Sequence, residues 1–233
     1  MPRSPSQAVT SSSVTEVLTD LHTARGLFVE WRRLEHAGLR RAQQAADQIW
    51  DTTNRFRAYN PWMVPGILQT RAYTHAALTA IARIRGLPPQ VEDAVEVRMH
   101  RQRLLHTPRR SFTVLIEECV LHHYLGGTET MTGQIAHLIT TTSLPTVQLG
   151  IIPLDTDRSR WPTEGFWIFD RSAVNVELVS GWLTINRPTE LALYEQAHTD
   201  FAAMARYGAE TRDPLMRTLN GLMGQDATGA HTR

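Results

Sequence analysis

From Val14 to Phe56 the apolar residues recur in steps that are mostly three or four: Val14, Val17, Leu18, Leu21, Phe28, Trp31, Leu34, Ala42, Ala46, Ile49, Thr53 and Phe56. Such spacing gathers one apolar stripe on a helix of 3.6 residues per turn, so it predicts a long amphipathic helix, open to a break near Gly26 or Gly38. Ser13 with Glu16 fits a capping box at its start. A stripe of this length has to be covered. It either lies on the domain's own core or, since Trp31, Trp50 and Phe56 offer more apolar surface than a lone exposed helix carries, joins a second copy in a homodimer.

The remaining chain switches period. Asn60–Gly66 leaves the helix because each proline disfavours an α conformation in the residue before it. Helices are expected from Ile67 to Arg85, ending at Gly86, and from Pro88-Pro89 to Pro108. Ser111–Ile116 is β-branched and aromatic and reads as a strand, as do Thr146–Ile152, Gly165–Asp170, Val174–Val179 and Gly181–Ile185. Between them a short helical turn is expected over Leu121–Tyr124 and a helix over Glu129–Thr142. Pro188–Tyr207 and Pro214–Met223 read as closing helices. The expected fold is α+β, with a helical N-terminal half that includes a long helix, a small mostly antiparallel sheet, and helices on one of its faces. Residues 1–12 are expected to be a disordered leader, 13–223 a single domain, and 224–233 a disordered tail.

Composition excludes several classes. Cys119 is the one cysteine among 233 residues, so no internal disulfide forms, and no Cys/His pair has zinc-finger spacing. A reducing, cytoplasmic setting is expected. Residues 1–30 lack the apolar core of a signal peptide, and no apolar run approaches the ~18 residues that cross a bilayer. The formal charge is +1 and every cationic side chain other than histidine is arginine, so the chain as a whole lacks the electrostatic footprint of a nucleic-acid binder.

Motifs whose spacing is set by chemistry are missing: there is no GxGxxG after a strand, no GxxxxGK[ST], HExxH, CxxC or GxSxG. The densest polar cluster is Glu117-Glu118-Cys119-Val120-Leu121-His122-His123-Tyr124. On an α-helix Glu118 and His122 would share a face, as a carboxylate orienting an imidazole for proton transfer or as two metal ligands; the plain alternative is a strand-to-helix junction. Without a third ligand no metal is expected, and nothing points to a cofactor. Arg32, Arg33, His36, Arg40 and Arg41, and again Arg98, His100, Arg101, Arg103, Arg109 and Arg110, form basic runs that either hold phosphates or are helix faces paired with acids such as Glu30, Glu35, Glu92 and Glu96. Trp161, Phe166, Trp167, Phe169 and Trp182 either floor a pocket or fill the core. The charged loop Leu154–Glu164 is long for a hairpin connection, which suits ligand contacts. Candidate ligand-binding residues are therefore Arg98, Arg101, Glu118, Trp161, Glu164 and Trp167.

Several stretches together resemble one family. Phe28-Val29-Glu30-Trp31-Arg32-Arg33, then Val64-Pro65-Gly66-Ile67-Leu68-Gln69-Thr70 with Tyr73, Arg98 and Arg101-Gln102, Val114–Glu118, and Pro145–Leu149 leading to Ile152-Pro153 resemble the C-terminal domain of actinobacterial helix-turn-helix regulators of the XRE class, also known as Scr-type antitoxin-like regulators. The resemblance spans roughly residues 25–223. It implies a sensing or partner-binding module that takes a small molecule, a small partner protein, or both. In that family a preceding helix-turn-helix reads DNA; here a short leader and one helix precede Phe28, so direct sequence-specific DNA binding is not expected. The alternative is a sensory domain turned enzyme of secondary metabolism, with Glu118 and His122 as its acid/base pair.

Overall fold

The stripe that ends at Phe56 does not continue as a helix. In the computed structural model, which describes residues 27–229, three short helices replace it: α1 (Trp31–Glu35), α2 (Leu39–Gln44) and α3 (Asp47–Thr52). Gly38 breaks the run between the first two, at φ 89, a backbone region that side chains with a Cβ rarely enter. Thr53 is already extended, and Arg55–Asn60 is strand β2, preceded in the chain by the short β1 (Phe28–Glu30). Phe56 and Ala58 are buried on one side of β2 and Arg57 and Tyr59 on the other. A strand buried on both faces shows no apolar/polar alternation, so its residues merged into the helical spacing before them.

Downstream, Thr70 caps helix α4 (Arg71–Arg85) by accepting from the Tyr73 N–H, and Gly86 ends it in the left-handed conformation. Helix α5 (Glu92–Arg101) follows, then β3 (Ser111–Glu117), α6 (Gly127–Thr141), β4 (Val147–Ile152), β5 (Phe166–Phe169), β6 (Ala173–Glu177) and β7 (Gly181–Ile185). The chain closes with α7 (Pro188–Met204) and α8 (Ala209–Gly229). Where a tail from Gly224 was expected, α8 continues to Gly229; the expected leader and the Ser13–Glu16 helix start lie outside the described residues.

The class is α+β, but the expected architecture needs correction in two respects, the size of the sheet and the placement of the helices. The sheet is not small: seven strands run in the order β1-β7-β6-β5-β2-β3-β4. It is mixed, with β2, β3 and β4 parallel and the other pairs antiparallel. Helices are spread along the chain and cover both faces. On one face Phe56, Phe112, Val114 and Leu149 pack with Met131, Ile135 and Leu138 of α6 and Leu215 and Leu222 of α8. On the other, Tyr59, Leu115, Ile168 and Val176 pack with Leu191, Ala197 and Phe201 of α7. Parallel strands need helical crossovers, which here lie on the first of these faces, and with α7 covering the other the central strands must be apolar on both sides.

From β2 the parallel strands step one way and the antiparallel meander steps the other. Brought together outside the carboxyl ends of β2 and β3 are the turn after Asn60, the 3-10 segment Glu118–His122, and the β4–β5 loop of residues 153–165. Such reversals are where open sheets hold ligands. A second covered region lies over β5, β6 and β7, where α1–α3 and α5 pack on the face that carries Trp167.

Candidate functional site

At the carboxyl ends of β2 and β3 the polar groups satisfy one another. Glu117, 2% exposed, accepts from the Tyr59 hydroxyl at 2.7 Å and from both terminal nitrogens of Arg158 at 3.1 and 2.6 Å. Burial, then the bond to Glu117, pushes the Tyr59 phenol well above its ordinary range, so it stays a donor. Arg160 holds Asp200 at 2.7 Å, and the Tyr59 ring stacks on Phe201 at 3.8 Å. Burial also raises the Cys119 thiol, which disfavours the thiolate form. The exception is Asn60, whose buried Nδ2 has no hydrogen-bond partner among the described residues.

The Glu118–His122 pairing does not form. Both residues lie in a 3-10 helix, where positions three apart share a face and positions four apart do not. Glu118 instead accepts from the Leu154 N–H at 3.1 Å and pairs with Arg217 of α8 at 3.0 Å, while His122 is exposed. Trp161 is 76% exposed, and Glu164 accepts from the Tyr194 hydroxyl at 2.8 Å. These two candidates sit on the loop away from Arg98, Arg101 and Trp167.

Those last three do come together. Trp167 projects from β5 toward Trp50 of α3, with ring centroids 4.9 Å apart, and the Arg101 guanidinium lies 5.1 Å from the Trp50 ring. Arg101 also donates to the Gln43 carbonyl at 2.6 Å and to Asp47 at 2.7 Å, while its Nε is buried with no partner. Arg98, one helical turn earlier, donates among the described residues only to neutral amide oxygens, Gln43 Oε1 at 3.2 Å and Gln69 Oε1 at 3.1 Å. It is half-buried as a residue, but its charged end is desolvated: burial pulls its pKa down to about 10, with Glu177 opposing and Arg101 reinforcing. Glu177 of β6 acts on it electrostatically, and Asn175, two residues before Glu177 on the same face of that strand, is paired in register with Trp167. Asn175 is 4% exposed and its Oδ1 has no partner among the described residues.

The Val64–Thr70 stretch builds the other wall. Gln69 binds the Val64 carbonyl through Nε2 at 2.7 Å, accepts from Thr74, and offers Oε1 to Arg98. Gln102 donates to the Gln69 carbonyl, and Gln134 of α6 bridges Leu68 and Thr70. A Cβ on Gly66 would come within 3.2 Å of Arg98 Cδ, so the glycine leaves the arginine its place. Two of the segments that carry the family resemblance, Val64–Thr70 and the helix of Arg98 continuing to Gln102, thus meet around Arg98. Sequence reasoning missed Gln43, Trp50 and Asn175; for Asn175 the available signal is an amide between Val174 and Val176, in a strand with no solvated face.

The basic runs serve in part as fastenings: Arg40 pairs with Asp93, Arg101 with Asp47 and Arg103 with Asp51, while Arg110 donates to the carbonyls of Trp50 and Asp51. Of the acids expected to pair with them, Glu35 is held by Arg85 and Glu96 by Arg71, outside the runs. An open groove of about 330 Å³ runs between α3 and α5 and is lined by Trp50, Asp47, Val97, His100 and Arg101. A wider one, about 510 Å³, lies along α2 and is lined by Arg40, Gln44 and Asp93, but reaches none of the unpartnered atoms. Among the described residues no group of acidic, histidine or cysteine side chains has the arrangement to hold a metal ion, and no helix is long and apolar enough to cross a membrane.

The fold and this polar centre define an α+β protein whose mixed sheet is covered on both faces and carries a desolvated arginine beneath its first helices. The chain belongs to the family described as Domain of unknown function (DUF5753), which matches residues 51–217. No curated protein matches it. Among solved structures it is similar to that of TrmBL2, an archaeal chromatin protein with a novel mode of DNA binding, at 9% identity and a TM-score of 0.40, over 84% of this chain and 63% of that one. This chain therefore spans less than two thirds of that protein, and likeness of this degree carries no argument about function.

Proposed function

We infer that this chain is a regulatory binding module, related to the C-terminal domains of XRE-class helix-turn-helix regulators, and that it holds a ligand or partner rather than turning over a substrate. The carrying observation is Arg98: a desolvated guanidinium with only neutral amide partners, seated by the stretches on which that relation rests. Desolvating a charge that no carboxylate contacts directly costs stability, even with Glu177 acting on it from β6, so a fold that retains one has a use for it. The carboxylates that acid/base chemistry would need are committed elsewhere, Glu117 to Arg158 and Glu118 to Arg217. The pairing of Arg40, Arg101 and Arg103 with acids of neighbouring helices favours helix fastening over phosphate binding at those positions.

Transcript profiling of the native host tests the reading. A deletion strain is expected to shift a small set of transcripts, and a chromosomal Arg98→Gln allele to shift the same set while the protein accumulates normally. An unchanged profile in both strains would overturn the regulatory reading.

A further inference from the structure

We propose that the β4–β5 loop, residues 153–165, together with the turn that carries Trp62, docks a partner protein through a basic segment with apolar side chains among its arginines or lysines. The proposal goes beyond the binding-module reading and draws nothing from Arg98.

The loop is held to the body by polar contacts. The Leu154 N–H donates to Glu118, Arg158 binds Glu117, Arg160 binds Asp200, and Glu164 accepts from the Tyr194 hydroxyl. Its two largest apolar side chains stay in solvent: Leu154 is 61% exposed and Trp161 76%. A loop that served the domain alone would turn those groups inward, since burial of apolar surface is what stabilises a fold. Here polar fastenings fix the backbone and leave the apolar groups outside, so a partner docks without first having to order the loop.

Trp62 adjoins this surface. A Cβ on Gly165 would lie 3.3 Å from Asn60 Oδ1 and 3.4 Å from Pro61 Cδ, so the end of the loop lies against the turn that leads to Trp62. That turn is held in its own right: the Cys119 thiol donates to the Pro61 carbonyl at 3.6 Å, and His123 Nδ1 donates to the Trp62 carbonyl at 2.9 Å. The Trp62 side chain is 64% exposed. Tryptophan is enriched among the residues that carry binding energy at interfaces, and here two stand in solvent on adjoining segments.

Charge selects the partner. Between positions 155 and 160 the loop carries two aspartates and two arginines, and the four are sorted. Arg158 and Arg160 are committed inward to Glu117 and Asp200. Asp155 and Asp157 are exposed, and their side chains hold no ion pair or hydrogen bond among the described residues. Arg217, which also reaches this end of the sheet, is paired with Glu118. The outer surface therefore sets indole rings beside carboxylates that lack counter-ions. A cation is drawn to both, to the carboxylates by charge and to the ring face by its quadrupole. The same carboxylates repel a phosphate backbone or an anionic membrane surface.

The test is calorimetric titration of the full chain with three blocked nine-residue peptides: repeats of arginine-glycine-leucine, and counterparts with glutamate or serine in place of arginine. The arginine peptide is expected to bind saturably at millimolar concentration or below, and the other two at least about tenfold more weakly. Trp161→Ala and Trp62→Ala are each expected to weaken the arginine peptide about fivefold or more, at an unchanged melting temperature because both rings are exposed. Asp155→Asn combined with Asp157→Asn is expected to weaken it about fivefold and to flatten its dependence on salt.

Equal binding of the glutamate or serine peptide would overturn the choice of a basic partner. Binding of the arginine peptide that is unchanged in both tryptophan variants would make it an attraction to carboxylates anywhere on the chain, and would overturn the docking surface. Absence of saturable binding by all three overturns it as well. Self-association of the parent that Trp161→Ala abolishes would give the surface to a second copy and overturn the claim of a different partner. None of these outcomes alters the transcript response to the deletion, on which the regulatory reading stands or falls separately.

Discussion

Arg158 donates to both carboxylate oxygens of Glu117, at 3.1 and 2.6 Å, and so fastens the β4–β5 loop across the end of β3. The Glu117 side chain is 3% exposed, so the pair is a buried one on the carboxylate side. Removing Arg158 leaves a desolvated charge with the Tyr59 hydroxyl as its remaining bond. Arg158→Met is therefore expected to cost about 3 kcal/mol in urea denaturation, at the lower edge of what breaking a buried pair costs because Arg158 itself keeps some solvent. Glu117→Gln combined with Arg158→Met is expected to lie closer to the parent than Arg158→Met alone, since the second change removes the stranded charge. A double variant as unstable as the sum of the two singles would mean that the residues do not act as a pair.

Gly150 sits where β4 meets the connection between α7 and α8. A Cβ there would lie 2.7 Å from the Tyr207 ring and 2.8 Å from Leu115 Cδ2, while Ile151 and Arg206 form a backbone bridge alongside. Gly150→Ala is expected to destabilise by about 1–3 kcal/mol through overpacking. Gly133 offers the contrast: it lies within α6 with nothing within 4 Å of its missing Cβ. Gly133→Ala is expected to stabilise by roughly 0.5–1 kcal/mol, because alanine loses less backbone freedom in a helix. Thermal melts of the two variants with opposite signs would confirm that space, not glycine content, decides.

The strands β3 to β7 were legible because β-branched and aromatic runs there are bounded by Gly, Pro and Asp turns. β2 was not, for a physical reason. Its residues are apolar or long-stemmed on both faces, and Phe56 falls three residues after Thr53, so helical spacing continued on paper past the point where the chain becomes extended. With β2 read as helix, the centre of the sheet was missing and the sheet seemed small. The site divided in the same way. Arg98, Arg101 and the Val64–Thr70 stretch were visible as sequence, whereas Gln43, Trp50 and Asn175 join them only through tertiary packing. Glu118 was favoured over Glu117 because helical spacing to His122 was assumed; the 3-10 geometry removes that face and leaves Glu117 as the buried carboxylate.

A last expectation concerns acid. His198 of α7 is 5% exposed, with Nε2 unpartnered, and burial together with the nearby Arg57 and Arg55 holds its pKa down at about 4, against a hydrogen bond with the Thr113 backbone that favours the charged form. In the unfolded chain the same group titrates near its ordinary 6.5. Between these values the unfolded chain takes up a proton that the folded chain refuses. The contribution is thus fully present above pH 6.5 and falls as the pH drops toward 4. At about pH 5 the loss is on the order of 2 kcal/mol relative to neutral pH. His137, also lowered by burial, adds in the same direction. Glu195, held down by Arg57, loses its own contribution only below its ordinary 4.5, so it does not mask the histidine window. Denaturant melts at about pH 7 and about pH 5 are expected to show the parent losing stability across that interval and His198→Gln losing about 2 kcal/mol less. Equal losses in the two proteins would show that His198 is protonated in the folded state, and that its burial against Arg57 is looser than the packing of α7 on β2 implies.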